Sequence, residues 1–184
     1  VRTQALLIFK LKRDGFIFSQ RYQCGKPITD LIKISETTGT GTSIKFIPDP
    51  EIFKETTEFK FDILANRLKE LAYLNKTVTI TLKDLRIDKE LVFHYDGGIV
   101  SFVEDLNDGK NVLHKNVIYI SDAIGDLIVE IALQYNDSYR EVVHSFCNNI
   151  NTIEGGTHYT GFNKALTRVI NELVKNCFGQ KSEE

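Results

Sequence analysis

The stretch NNINTIEGGTHYTGFNKAL, Asn148–Leu166, joins a polar turn-forming segment, a Gly-Gly pair and the entry to a helix. Downstream, Phe162, Leu166, Val169, Ile170, Leu173, Val174 and Cys177 recur at helical spacing, and Gly179 with a charged tail closes the element. Upstream, Val142–Ile150 reads as a strand. Two glycines ahead of a helix can cradle an anion on the free amides of its first turn. They can also simply reverse the chain, with Thr157 capping the helix. No lysine stands close enough in sequence to serve a nucleoside triphosphate, which weighs toward the turn and cap.

The same mixture of periods runs through the rest of the chain. Leu7, Phe9 and Leu11 alternate with Ile8, Lys10 and Lys12, and Asp14-Gly15 is a tight-hairpin signal leading into a second strand, Phe16–Gln23. A short strand is expected over 31–35 and another over Thr42–Ile47, closed by Pro48-Asp49-Pro50, whose prolines cannot donate to a ladder. A domain boundary is placed there. Phe61, Leu64, Leu68 and Leu71 mark an amphipathic helix over 61–74. Strands follow at 78–82 and Leu91–Tyr95. Gly97-Gly98 opens a helix with Ile99, Phe102, Val103 and Leu106 on one face, ended by Asn107-Asp108-Gly109. Val117–Ser121 and Leu127–Tyr135 read as strands. Hairpins, strands and helices in mixed order give an α+β class.

Composition removes several functions. The 184 residues carry 42% hydrophobic and 26% charged side chains, so one ordinary core can form. A net charge of -2 lacks the basic excess of a stand-alone nucleic-acid binder. Cys24, Cys147 and Cys177 are dispersed and read as free thiols of a reducing cytoplasm. No apolar run is long enough to span a membrane, and Ala5–Phe9 followed by Lys10 reads as a strand and not a signal peptide. His94, His114, His144 and His158 form no metal-binding spacing, and no nucleophile elbow or Cys-His signature is present. Gly25-Lys26-Pro27 fails as a phosphate loop at its last position. From residues alone, the chain is an α+β domain without a self-contained catalytic set.

Five blocks carry a resemblance across almost the whole chain: GTSIKFIPDPEIF (Gly41–Phe53), FDILANRLKELAYLNK (Phe61–Lys76), HYDGGIVSFVEDLN (His94–Asn107), VEIALQYNDSY (Val129–Tyr139) and NNINTIEGGTHYTGFNKALTRVIN (Asn148–Asn171). In order and spacing they resemble the B subunit of DNA gyrase, a type II topoisomerase. The sister subunit of topoisomerase IV is similar but diverges more in these blocks. A truncated, non-catalytic structural or binding module is the other alternative.

The resemblance implies that residues 1–50 are the last strands of an ATP-binding domain of the gyrase, Hsp90, histidine kinase and MutL type. Residues 51–184 would be the transducer domain without its C-terminal part, a mixed sheet packed by helices beside a remnant antiparallel sheet. The family uses ATP and magnesium, acts on DNA, and assembles as an A2B2 heterotetramer with the gyrase A subunit and a second B subunit, in the cytoplasm and away from membranes. Thr42 and Ile44 match the family residues that line the adenine end of the ATP pocket. The family's catalytic glutamate and magnesium-holding asparagine fall upstream of this sequence. Its Gln-Thr-Lys loop falls downstream, and Gln180-Lys181 resembles it only superficially. No catalytic or metal residue is therefore expected here, no cofactor is expected to bind the chain alone, and the isolated chain is expected to be inactive as an ATPase. Gly155 and Gly156 then match the turn into a helix facing the DNA cavity. Where the family often has an arginine, this chain has Asn163 followed by Lys164. Lys164, Arg168 and Lys175 are the candidates to meet DNA phosphates there.

Overall fold

The computed structural model describes residues 3–178; Gly179 and the Gln180-Lys181 pair lie outside the described residues. The chain folds as two compact units, one ending at Lys60 and the other beginning at Phe61.

The first unit is one antiparallel sheet. β1 (Gln4–Arg13) and β2 (Phe16–Gln23) form a hairpin whose two turn residues, Asp14 and Gly15, both have positive φ, the backbone twist a two-residue hairpin requires. β3 (Lys26–Pro27) and β4 (Ile32–Glu36) pair with β2, and β5 (Gly41–Pro48) pairs with β1, giving the order β3-β2-β1-β5 with β4 also on β2. The sheet stops at Asp49. Its buried carboxylate accepts the Glu51 amide at 3.0 Å, and its carbonyl accepts the amides of Ile52 and Phe53.

The second unit begins with α1 (Phe61–Leu74), which buries Phe61, Ala65, Ala72 and Tyr73. It ends where Asn75 turns back and donates its side-chain amide to the Leu71 carbonyl at 2.7 Å, satisfying a helix-end acceptor. The chain then returns over α1 as a hairpin of β6 (Ile80–Asp84) and β7 (Lys89–Phe93), and Phe93, Ile80 and Leu82 close the core against the helix. α2 (Ile99–Leu106) adds Phe102, whose ring stacks on Tyr73 at 4.9 Å, while the Tyr95 ring stacks on Tyr73 at 3.7 Å. Burial, reinforced by Tyr95 and Asp105, pushes the Tyr73 phenol well above its usual range. β8 (Ile118–Ile124) and β9 (Leu127–Leu133) form a second hairpin; β10 (Phe146–Cys147) and β11 (Ile150–Asn151) form a third. The last described element is the 22-residue helix α3 (Thr157–Phe178).

The α+β class holds, with two corrections in this unit. Among the described residues the expected mixed sheet is replaced by three separate two-stranded antiparallel ladders, because each strand pairs with its nearest sequence neighbour through a tight turn. The expected strand Val142–Ile150 is not continuous. Asn148 and Asn149 adopt φ of 47° and 67°, so the segment folds back on itself after two residue pairs. Ser145 and Thr152 extend that short ladder by exchanging hydroxyl bonds to each other's carbonyls, at 3.1 and 3.0 Å. Smaller offsets shift β6 to start at Ile80 and β9 to end at Leu133.

Candidate functional site

Two faces carry the residues singled out from sequence, one in each unit. On the first unit, Thr42 pairs with Leu11, Ile44 with Phe9 and Phe46 with Leu7, while Leu7 also pairs with Tyr22. Directly paired residues project to one side of a pleated sheet, so Thr42 and Ile44 share a face with Leu7, Phe9, Leu11, Tyr22 and Phe46. A shallow cavity of about 310 Å³ on this sheet is lined by Gln4, Leu7, Phe9, Tyr22 and Gly25. Phe59 meets Phe46 edge-on at 5.9 Å, but Ile44 stays 60% exposed. A hydroxyl beside an open apolar surface can take one edge of a purine, the hydroxyl donating to or accepting from a ring nitrogen. The other requirements of a nucleotide are a phosphate cradle and a metal set. Among the described residues no three His, Cys, Asp or Glu side chains group as metal ligands.

On the second unit, backbone geometry decides what the Gly-Gly pair does. Gly155 has φ of 78°, a conformation that disfavours any side chain, and its amide donates to the Thr152 carbonyl at 2.8 Å. The pair therefore turns the chain between β11 and α3. Thr157 is the first residue of the helix, and the position before it belongs to Gly156, whose carbonyl accepts the Thr160 amide at 3.0 Å; the expected threonine cap is corrected to glycine. The His158 ring lies over Gly156, where an added Cβ would come within 2.6 Å of it, and meets the Thr152 hydroxyl at 3.3 Å.

Lys164, Arg168 and Lys175 stand at i, i+4 and i+11. At 3.6 residues per turn they fall within an arc of about 40°, and the structure places all three in one open groove along α3. Tyr159, Asn163, Thr167 and Asn171 form a parallel row at four-residue spacing in the same groove, with Thr160 and Glu172. That row escaped the sequence reading because uncharged polar side chains announce no chemistry; helical projection of the stretch would have found it. The groove offers three cations, several amide and hydroxyl donors, and one carboxylate. It is an open strip and not an enclosure, since one convex helix supplies every residue, and so it suits an extended polyanion more than a small ligand. The apolar residues Val169, Ile170, Leu173 and Val174 lie on the opposite side of α3 and are 43–56% exposed. No described helix is long and apolar enough to cross a membrane.

The chain itself is similar to known proteins. A family model described as DNA gyrase B matches residues 98–184. The DNA gyrase B subunit of Bacillus mycoides is 51% identical over 161 residues, covering 87% of this chain and 40% of that protein. The DNA gyrase B subunit of Clostridium acetobutylicum is 51% identical over 175 residues, covering 95% of this chain and 27% of that protein. The chain thus spans well under half the length of these relatives. Among solved structures, the 43K ATPase domain of Thermus thermophilus gyrase B, crystallised with an aminocoumarin, superposes with a TM-score of 0.83 at 29% identity, over 100% of this chain and 50% of that one. The B subunit of DNA gyrase from Myxococcus xanthus shares the fold, with a TM-score of 0.84 at 22% identity over 93% of this chain and 50% of that one.

Proposed function

Because this chain belongs to the DNA gyrase B family, we propose that it is the coupling segment of an ATP-dependent type II topoisomerase. Residues 1–50 end the ATP-binding domain and 51–184 form most of the transducer. In the whole protein, which acts in the cytoplasm with a gyrase A subunit and a second B subunit, ATP and magnesium drive passage of one DNA duplex through another and introduce negative supercoils. The observation that carries the reading is the superposition of the entire chain on half of a gyrase B ATPase domain.

The roles follow from chemistry. Thr42 supplies a hydroxyl, and Ile44 an apolar wall, to the adenine edge. The face fits that edge alone, so no step of hydrolysis is assigned to residues of this chain. Lys164, Arg168 and Lys175 present phosphate-compatible charge without base reading, as suits a surface that DNA of any sequence must pass. A transducer works by moving as a packed body, since packed interfaces switch between discrete arrangements and do not yield smoothly.

Two measurements test the reading. The purified chain is expected to show no ATP turnover above a blank, and turnover would overturn the assignment. In the full-length protein, replacing Lys164, Arg168 and Lys175 together by alanine is expected to weaken DNA binding. The slope of log affinity against log salt should shrink by about 2 to 3, near 0.9 per lost phosphate contact. An unchanged slope would remove the groove from the DNA path.

A further inference from the structure

The β8–β9 hairpin is an arm whose tip is open: Ile124, Leu127 and Ile128 are 73%, 62% and 73% exposed. Near its base it is held by amides. Asn107 donates to the Gln134 side-chain oxygen at 2.9 Å, Asn136 donates back to Asn107 at 2.8 Å, and Gln134 donates to the His114 carbonyl at 3.0 Å. α2 packs along β9.

A second attachment sits further out. Lys76 Nζ donates to Glu130 Oε1 at 3.1 Å and to the Tyr119 hydroxyl at 3.5 Å, and the Tyr119 hydroxyl itself donates to the Glu130 carboxylate. Tyr119 pairs with Ala132, two positions along β9 from Glu130, so Tyr119 and Glu130 project from one face of the arm. The ammonium also lies 5.2 Å from the centre of the Tyr119 ring.

The lysine reaches this face because its stem is held down at the other end. Lys76 follows α1, and its methylenes cross Gly98, the residue that precedes α2. A Cβ at Gly98 would lie 2.3 Å from Lys76 Cε and 2.7 Å from Cγ, and Gly98 has φ of 58°. One side chain, rooted two residues past the end of α1, therefore touches the residue before α2 and both strands of the arm. The Glu130 hydrogen bond holds the Lys76 ammonium above its ordinary range, and the bonds from Tyr119 and Lys76 hold the Glu130 carboxyl below its own, so both are charged at neutral pH.

We propose that Lys76 is a positioning residue that clamps the β8–β9 arm to α1 and α2, so that the three move as one body when nucleotide binding is coupled to DNA passage. The coupling role rests on the function proposed above; the clamp itself does not.

Lys76→Met keeps the stem over Gly98 and removes the ammonium, whereas Lys76→Arg keeps a cation. In the purified chain, backbone amides of 118–131 are expected to exchange about threefold faster in the methionine variant, with 61–74 unchanged and the arginine variant close to wild type. Glu130→Gln, which breaks the pair from the other side, is expected to accelerate the same amides. Unchanged exchange over 118–131 in both Lys76→Met and Glu130→Gln overturns the clamp. In the full-length protein assembled with the gyrase A subunit on relaxed circular DNA, Lys76→Met is expected to keep its ATP turnover. Its supercoiling per ATP should fall by about fivefold, with recovery in Lys76→Arg. A wild-type yield per ATP from a methionine variant with a loosened arm overturns the coupling role. A wild-type assembly that hydrolyses ATP without supercoiling counts against the proposed function, and amide exchange still judges the clamp.

Discussion

Two helices of the second unit, α1 and α3, are both amphipathic, and they meet opposite surroundings. α1 buries Phe61, Ala65, Ala72 and Tyr73, while no described side chain of α3 is buried. The difference lies in what adjoins each helix along the chain. After α1 the chain returns within a few residues as a five-pair hairpin whose Ile80, Leu82 and Phe93 offer an apolar face. Before α3 it forms a ladder of only two pairs, which offers almost none. A stripe of apolar residues establishes that a helix forms with a side to bury; the supply of a covering face is a separate matter.

The comparison can be broken most directly at Tyr73, which is 2% exposed and sits in ring contact with both Tyr95 and Phe102. Tyr73→Ala should destabilise the second unit by about 3 to 5 kcal/mol, the range for deleting a buried aromatic ring. Urea denaturation reports it, and a loss below about 1 kcal/mol would deny α1 its role as the core helix.

A middle-sized effect belongs to the turn that shortens the strand ahead of α3. Asn149 has φ of 67°, its carbonyl accepts from Arg67 at 2.7 Å, and its side-chain amide donates to Asn75 at 3.2 Å. Asn149→Val should cost about 1 to 3 kcal/mol through backbone strain, while Asn149→Gly should be milder. Equal losses in the two variants would show that the side-chain bond, and not the backbone angle, matters.

The smallest energy is expected on α3. Leu173 is 56% exposed, and Leu173→Ala should change stability by no more than about 0.5 kcal/mol in this chain. A larger loss would mean that α3 is covered in solution, and the contrast with α1 would vanish.

A titration sharpens the α1 side without any change in fold. Arg86 grips Asp84 through Nε and Nη2 at the tip of the β6–β7 hairpin and holds its carboxyl down to about 2. A depressed carboxyl stabilises the fold at pH above its ordinary value, and that contribution is lost as pH falls through about 2. Carbon NMR of the Asp84 carboxyl should place its midpoint there, and Arg86→Met should return it toward the usual aspartate range.

Much of this architecture is legible in the residues themselves. Asp14-Gly15 announces the β1–β2 turn, and the spacing of Phe61, Leu64 and Leu68 announces α1. The common face of Lys164, Arg168 and Lys175 follows from their numbering once α3 is accepted. What escapes a linear reading is decided by pairing and not by periodicity. Alternation says which side a residue faces but not which strand lies beside it, so three local hairpins read as one mixed sheet. Val142, Val143 and Phe146 have strand-forming side chains, yet residues 142–145 belong to no strand, and the left-handed geometry of two asparagines turns the chain back after Cys147. Lys76 is invisible for a related reason: its partners Gly98, Tyr119 and Glu130 are remote in sequence and meet only in the folded unit.

The cations of α3 also make a ruler. Eleven residues separate Lys164 from Lys175, about 16 Å at the helical rise per residue, or roughly five base pairs of duplex. That is half a helical repeat, so a double strand lying along the groove would be touched on one flank and left unwrapped on the other. Under the function proposed above, a duplex passing there would meet three cations over half a turn and none of the encircling charge that wraps DNA.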